Sequence, residues 1–199
     1  MRHIEEKLAE NNLYFSSDKA AIGFGKEANP ATQETNREQY SAIYSIGIGQ
    51  NRLYFNGELL SGGHNNVIIE LAGTLSIGKP VEMLTLGLVQ YEGFSHTHPY
   101  CTGHEAKSFS GIIGDQGAAI MAGKAYLVTP SGEVKYITSE DAIGAIIAGE
   151  NINSTITRED AVVPKYAQIV GEIDGYSEGV DKFDCTILSD ADCFWGNTK

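Results

Sequence analysis

The chain has 199 residues, and its 26 acidic residues outnumber its 14 lysines and arginines, which gives a formal charge of −12. This length suits one domain with an appendage and is enough to bury a core. A hydrophobic content of 42% with 20% charged residues is typical of a globular protein and excludes a disordered tail. The acidic balance excludes stable nonspecific nucleic-acid binding, which needs Lys and Arg to neutralise phosphates.

The N-terminus carries no targeting signal of the Sec type. The charged residues 1–7 are not followed by an apolar core, which a secretory signal peptide requires. No stretch approaches the roughly 18 consecutive apolar residues of a membrane span. We therefore expect a chain that is made in the cytoplasm and does not span a membrane. Where it acts is left open, because a carrier can export a module that has no signal of its own.

The three cysteines do not form a recognisable framework. Cys101, Cys185 and Cys193 contain no C-x-x-C pair, so a zinc ribbon or a set of structural disulfides is not expected. Free thiols are the preferred interpretation, and a pair between Cys185 and Cys193 is the alternative in an oxidising compartment.

The first 60 residues predict two helices followed by a strand. Residues 3–10 predict a short polar helix, and the stretch Ser16-Ser17-Asp18 offers an N-cap for a second helix that Asn29-Pro30 should end. Residues 39–48 alternate between apolar and polar or small side chains, which is strand periodicity. The dipeptide Asn51-Arg52 is expected to form the turn into the next strand.

The middle of the chain predicts strands and then a long loop. The strand-like runs are 67–72 and 84–91, and from Gly93 to Asp115 the chain is rich in His, Ser and Gly without periodicity. A helix over 115–122 should follow, with Gly123 as its C-cap.

Residues 125–129 and 134–137 predict a hairpin, and Thr138 caps a helix that reaches Gly149. This element order favours the α+β class, a mixed β-sheet flanked by helices. We place the core at residues 16–137 and a C-terminal extension, packed on or beside it, at 138–199.

Two histidines two positions apart predict a metal site. His96 and His98 are separated by one residue, and Pro99 stiffens the chain after them. On an extended chain, side chains at i and i+2 point the same way, so both imidazoles can reach one ion. A third ligand must come from elsewhere. Asp115, at the start of the predicted helix, is preferred because a carboxylate there suits zinc and leaves a fourth position for water.

His104 and Glu105 also have side chains that could supply the third ligand. Cys101 is close enough in sequence to reach the same ion, although a loop thiol is its simpler interpretation.

The order of motifs resembles a known superfamily. The sequence reads H-T-H-P from position 96, F-S-G from 109 and D at 115. This is similar to the H-x-H-P … S … D signature, the JAMM motif, of JAB/MPN metalloproteases. The chain more closely resembles a JAB-like domain at the C-terminal ends of bacterial Rhs-type polymorphic toxins, and this likeness extends beyond the JAMM motif. That likeness includes S-S-D-K-A-A from position 16, N-R-E-Q-Y from 36 and Y-L-V-T-P-S-G from 126.

The resemblance covers about 16–137 and implies a JAB/MPN-like core, related to the cytidine-deaminase fold, with Zn²⁺ as cofactor. It assigns His96, His98 and Asp115 as zinc ligands. Glu38 takes the place of the upstream glutamate, the general acid/base that deprotonates the attacking water. Ser110 takes the place of the serine that stabilises the developing oxyanion.

Some positions depart from the family pattern. The usual serine lies three residues before the aspartate, whereas Ser110 precedes Asp115 by five, and Ser108 is its rival. Three other glutamates compete for the role of the upstream glutamate, namely Glu34, Glu58 and Glu70. Glu38 is preferred because it precedes a strand.

The resemblance implies a zinc-dependent hydrolase that cleaves a peptide or isopeptide bond and acts as a bacterial toxin or effector. Its partners would be a protein or peptide substrate and a cognate immunity protein. The alternative is an inactive MPN-like module that docks on a protein partner. A zinc deaminase needs H-x-E and P-C-x-x-C, which are absent, and no G-x-S-x-G marks a serine nucleophile.

Overall fold

The computed structural model describes residues 2–49, 51–62, 87–99, 109–110, 114–147 and 168–172. Within these ranges the chain forms four helices and seven strands. The helices are α1 (Arg2–Ala9), α2 (Ser17–Thr35), α3 (Asp115–Ala122) and α4 (Ser139–Ile147). The strands are β1 (Gln39–Ile48), β2 (Asn51–Asn56), β3 (Leu60–Ser61), β4 (Val89–Thr97), β5 (Lys124–Val128), β6 (Glu133–Thr138) and β7 (Gln168–Glu172).

The strands form one curled mixed sheet. Their order is β2-β1-β4-β5-β6-β7, and β3 pairs with the start of β1. Strands β4 and β5 run parallel, while the other described pairs are antiparallel. The predicted α+β class, a mixed sheet flanked by helices, is therefore confirmed. No helix in the described part of the chain is both long and apolar enough to cross a membrane.

Helices cover both faces of the sheet. The small residues of α2, with Phe24, pack against Ile43, Tyr126 and Val128 on one face. On the other face, Ala118 and Ala119 of α3 pack in a second hydrophobic cluster of aromatic and aliphatic side chains. The other members of this cluster are Tyr40, Phe94, Phe109, Ala125, Leu127 and Ile137. Because strand side chains alternate between faces, neighbouring residues of β5 belong to different clusters.

Helix α2 begins as predicted and continues further than predicted. The Ser16 hydroxyl accepts a hydrogen bond from the Lys19 backbone N–H at 3.2 Å, which confirms the N-cap. The prediction that Asn29-Pro30 ends the helix is wrong, because α2 reaches Thr35. Pro30 is exposed, so water can solvate the carbonyl that loses its partner. Beyond it, Thr32 is fully buried and fixes the last turns to the sheet.

The predicted loop after Gly93 is also wrong in its first part, since β4 continues to Thr97. Gly93 has a φ of +126° and lies where the register with β1 shifts. A Cβ there would lie 2.4 Å from the carbonyl oxygen of Lys124, so glycine permits the close approach of β5. The strand lacks alternation because residues on both of its faces are buried here.

The turn between the first two strands lies earlier than predicted. Asn51 and Arg52 belong to β2, and Ile48 pairs with Asn51, so the chain turns before Asn51. Gly49 has a φ of +61°, which suits a tight hairpin turn.

The downstream elements agree with their sequence signals. Gly123 follows α3 directly, and its N–H bonds to the Ala119 carbonyl. Thr138 and Asp141 form a reciprocal cap at the start of α4, with bonds of 2.9 and 3.1 Å. Strand β7 adds to the sheet beside β6. The division at 137/138 stays a prediction, and the predicted strand 67–72, Gly149 and the three cysteines lie outside the described residues.

Candidate metal centre

The two histidines lie where β4 ends, on the face that α3 covers. Phe94 and His96 point to this face, and the strand period carries His98 to the same side. The two imidazole rings are 4.9 Å apart between centroids, and their Nε2 atoms are 3.2 Å apart. The His98 backbone N–H bonds to the Val128 carbonyl at 3.1 Å, which fixes this part of the chain beside the end of β5.

Asp115 is the first residue of α3, and Ser110 holds it in place. The Ser110 backbone N–H donates to Asp115 Oδ2 at 2.7 Å, while the Asp115 N–H donates to Ser110 Oγ at 2.8 Å. Gly114, the N-cap residue, has no side chain to cap the helix, so Ser110 caps it from a distance. The observed contact of Ser110 is thus to Asp115, and its role at an oxyanion stays a prediction.

The three side chains converge in a geometry that suits a metal ion. His96 Nε2 is 3.2 Å from Asp115 Oδ1, and His98 Nε2 is 3.4 Å from Asp115 Oδ2. Two ligands that each lie about 2.1 Å from a tetrahedral zinc ion are about 3.4 Å from each other. The group of His96, His98 and Asp115 can therefore hold a metal ion, and the 3.2 Å between the two imidazole nitrogens is close to this separation.

The centre is largely shielded from solvent. The exposed fractions of the His96, His98 and Asp115 side chains are 2%, 6% and 13%. Burial alone would raise the pKa of the Asp115 carboxyl, but the charges and hydrogen bonds of the two histidines outweigh it and hold that pKa well below its ordinary value. The carboxylate is therefore the form that faces the imidazoles.

His96 is held mainly by aromatic rings. Its ring lies 5.7 Å from that of Phe94 and 6.1 Å from that of Phe109 between centroids. Its Nδ1 is buried, and among the described residues none forms a hydrogen bond with it. Within the described part of the chain, packing against these rings orients the imidazole.

Glu38 lies just outside the group of three. Asn36, with a φ of +51°, ends α2 in the left-handed conformation and turns the chain towards β1. Glu38 follows this turn, is buried, and places Oε1 3.9 Å from His98 Nε2. Two atoms this far apart can both contact one water molecule. Its role as an acid/base stays a prediction.

The glutamates that compete with Glu38 differ from it in burial. Glu34 and Glu58 are exposed, so neither has the buried position of Glu38. Glu70 lies outside the described residues. So do Ser108, the rival of Ser110, and the three residues that could replace or join Asp115 as a ligand, namely Cys101, His104 and Glu105.

Sequence reasoning missed the polar residues that support the centre from the other face. Thr97, between the two histidines, contacts Thr32 of α2 and the backbone of β1. Gln33 Nε2 donates to the His98 carbonyl at 3.1 Å. Asn29, Thr32 and Asn36 are buried polar residues at i, i+3 and i+7, and this spacing is the signal that would have predicted a polar seam on α2.

Comparisons of the chain with protein-family models, with curated proteins and with solved structures find no match. The interpretation of the centre therefore depends on its own geometry and chemistry.

Proposed function

We propose that the protein is a zinc-dependent hydrolase that cleaves a peptide or isopeptide bond. The observation that carries this proposal is the convergence of two imidazoles and one carboxylate close enough to hold one metal ion, with a second carboxylate just outside them. A nitrogen and oxygen donor set of this kind suits zinc, and three protein ligands leave a fourth position open.

The chain's own groups provide the remaining chemistry. Bound zinc would act as a Lewis acid and lower the pKa of a coordinated water to about 7. Glu38 takes a proton from the attacking water and returns it to the leaving amine as the C–N bond breaks. The Ser110 oxygen accepts a bond from Asp115, so its own proton is available to the carbonyl oxygen of the substrate.

The broader assignment is a JAB/MPN-like effector of the toxin type. Glu38, the histidine pair and the Ser110–Asp115 pair come from three separate segments of the chain, yet they lie in one cluster. The JAMM motif requires this convergence, which supports the proposal. A protein or peptide substrate and a cognate immunity protein are the partners that follow from it.

The proposal is tested with zinc-loaded protein and a mixture of proteome-derived and isopeptide-linked peptides, in which new cleavage products are identified by mass spectrometry. We expect cleavage by the wild type and a loss of roughly 10²–10⁴-fold in Glu38→Gln, which keeps its zinc. Glu34→Gln is the matched control, because it removes an exposed carboxylate only four positions earlier. Equal cleavage by wild type and Glu38→Gln would remove Glu38 from the mechanism.

A docking module is the second candidate, and exposed apolar side chains favour it. Met121 of α3 is 69% exposed, and Ile143 and Ile147 of α4 are 43% and 80% exposed. Exposed apolar side chains that form one patch mark protein-binding surfaces. Zinc-loaded protein that cleaves nothing in the peptide screen would favour this candidate over the hydrolase.

A further inference from the structure

A chain of buried hydroxyl groups links three elements behind the metal centre. Thr97 lies between His96 and His98, but its side chain points to the opposite face, towards α2. Its Oγ1 accepts a hydrogen bond from the Gln39 backbone N–H at 2.8 Å and lies 2.6 Å from Thr32 Oγ1. Thr32 and Thr97 are both fully buried.

The protons of this chain have one consistent arrangement. Thr32 donates to the Ala28 carbonyl at 3.0 Å, so the proton between the two hydroxyls comes from Thr97. Thr97 therefore donates to α2 and accepts from β1. Every donor has a partner, and α2, β4 and β1 are fixed to one another at a single point.

That point lies next to Glu38. The paired register of β1 and β4 ends at Tyr40 and His96, and beyond it the Thr97 hydroxyl is the acceptor for the Gln39 N–H. Gln39 is bonded directly to Glu38, so the Thr97 hydroxyl fixes the segment of backbone that carries this carboxylate.

We propose that Thr97 is a positioning residue for Glu38, which it places over the metal centre through the Gln39 backbone. This inference rests on the proposed function. The ligands have supports of their own, since His98 bonds to Val128 and Asp115 bonds to Ser110. On its β3 side the Glu38 carbonyl accepts a bond from the Gly62 N–H at 2.8 Å, so loss of the Thr97 hydroxyl frees the Glu38 segment on its β4 side, which faces the metal centre, while the metal ligands stay in place.

The test compares Thr97→Val, which keeps the shape but removes the hydroxyl, with Thr97→Ser, which restores it. Three quantities are measured: amide hydrogen exchange of Gln39 by NMR in the zinc-free protein, bound zinc per chain, and peptide cleavage. For Thr97→Val we expect Gln39 exchange at least about tenfold faster. We also expect one zinc per chain, and cleavage reduced about 10²-fold towards that of Glu38→Gln. Thr97→Ser should approach the wild type in all three.

Thr35→Val is the matched control, because Thr35 Oγ1 also bonds a carbonyl of α2, that of Ala31 at 2.7 Å, but lies at the exposed surface. It should leave Gln39 exchange and cleavage unchanged. If Thr97→Val does not fold, Thr32→Val replaces it, since it removes the acceptor of the Thr97 proton and should speed Gln39 exchange to a smaller extent.

The outcomes separate the two proposals. Unchanged Gln39 exchange in the variant that is used overturns the positioning role, and so does zinc loss in step with cleavage, because Thr97 would then support the ligands. Fast exchange that serine restores, in a protein whose wild type cleaves no peptide, overturns the hydrolase while the backbone link stands.

Discussion

Two polar clusters lie on opposite faces of the sheet and at opposite ends of β5, and their hydrogen bonds differ in kind. The metal centre comprises His96, His98 and Asp115, with Glu38 beside it. The second group, which we call the lysine–tyrosine cluster, comprises Lys124, Tyr126, Asp18 and Ser17. The difference between them shows which kind of polar group a fold can satisfy by itself.

In the lysine–tyrosine cluster, each group faces its complement. Lys124 Nζ is 3.0 Å from Asp18 Oδ1 and lies 4.5 and 3.9 Å from the ring centroids of Tyr126 and Tyr136. The Tyr126 hydroxyl donates to Asp18, and its oxygen lies 2.9 Å from Ser17 Oγ. Cation, anion, ring and hydroxyl match one another, so the cluster needs no ligand.

In the metal centre, electron-pair donors face one another. Two imidazole nitrogens lie 3.2 Å apart, and each faces a different oxygen of the Asp115 carboxylate, Oδ1 at 3.2 Å from His96 and Oδ2 at 3.4 Å from His98. Such a group is compact only when a proton or a cation lies between its members. A cluster of like donors therefore indicates a binding site, whereas a cluster of complementary groups indicates structure.

The largest expected effect comes from breaking the metal centre. His98→Ala removes one of three protein ligands, so zinc affinity should fall by at least about 100-fold, more than the loss of an outer-shell partner causes. Metal content of the purified protein by plasma mass spectrometry measures this, and circular dichroism verifies the fold. Wild-type zinc content in His98→Ala would contradict the assignment of the ligands.

A smaller effect is expected from breaking the lysine–tyrosine cluster. Asp18→Ala removes the counter-ion of Lys124 and one partner of the Tyr126 hydroxyl, while Ser17 still contacts that hydroxyl. Because Asp18 is partly exposed, the free energy of unfolding should fall by about 1–2 kcal/mol. Urea unfolding measures the change, with Asp18→Asn intermediate. Zinc content should stay at the wild-type level, and its loss would show that the two clusters are coupled.

Local signals were sufficient for much of the fold. Ser16, Gly123 and the Thr138–Asp141 pair act on residues within four positions of themselves, so their roles could be read from the sequence. The end of α2 could not, because its continuation past Pro30 depends on Thr32, whose partner Thr97 is 65 positions away. The tertiary contact of Thr32 outweighed the tendency of Pro30 to end the helix.

The candidate site also contains residues that local signals predict and residues whose position depends on contacts distant in sequence. The H-x-H spacing and an aspartate at a helix start predicted three groups that do lie together. The position of Glu38 was inferred only from a resemblance, because its closeness to His98 depends on the pairing of β1 with β4. The lysine–tyrosine cluster was not predicted at all, since Asp18 and Lys124 are 106 positions apart and nothing in the S-S-D-K-A-A stretch around Asp18 indicates Lys124 as its partner.

The smallest expected effect is a loss of folding stability at alkaline pH. It reports how well the lysine–tyrosine cluster is shielded from water. Burial, and then the hydrogen bond to Asp18, raise the pKa of the Tyr126 hydroxyl above its ordinary value. A group whose pKa is higher in the folded state stabilises the fold fully below its unfolded pKa of about 10, and this contribution is lost as the pH rises past it. For Tyr126 the loss reaches about 0.8 kcal/mol at pH 10.5.

Tyr126→Phe has no such group, so its free energy of unfolding should fall less between pH 8 and pH 10.5 than that of the wild type. Urea unfolding of both proteins at the two pH values gives this difference. Other buried tyrosines, among them Tyr40, whose pKa burial raises to about 12, make both proteins less stable at high pH, but they cancel in the comparison. An equal fall in both proteins would mean that Tyr126 ionises as readily in the fold as in the unfolded chain. The lysine–tyrosine cluster would then be open to water, and complementary charges alone would not explain why it needs no ligand.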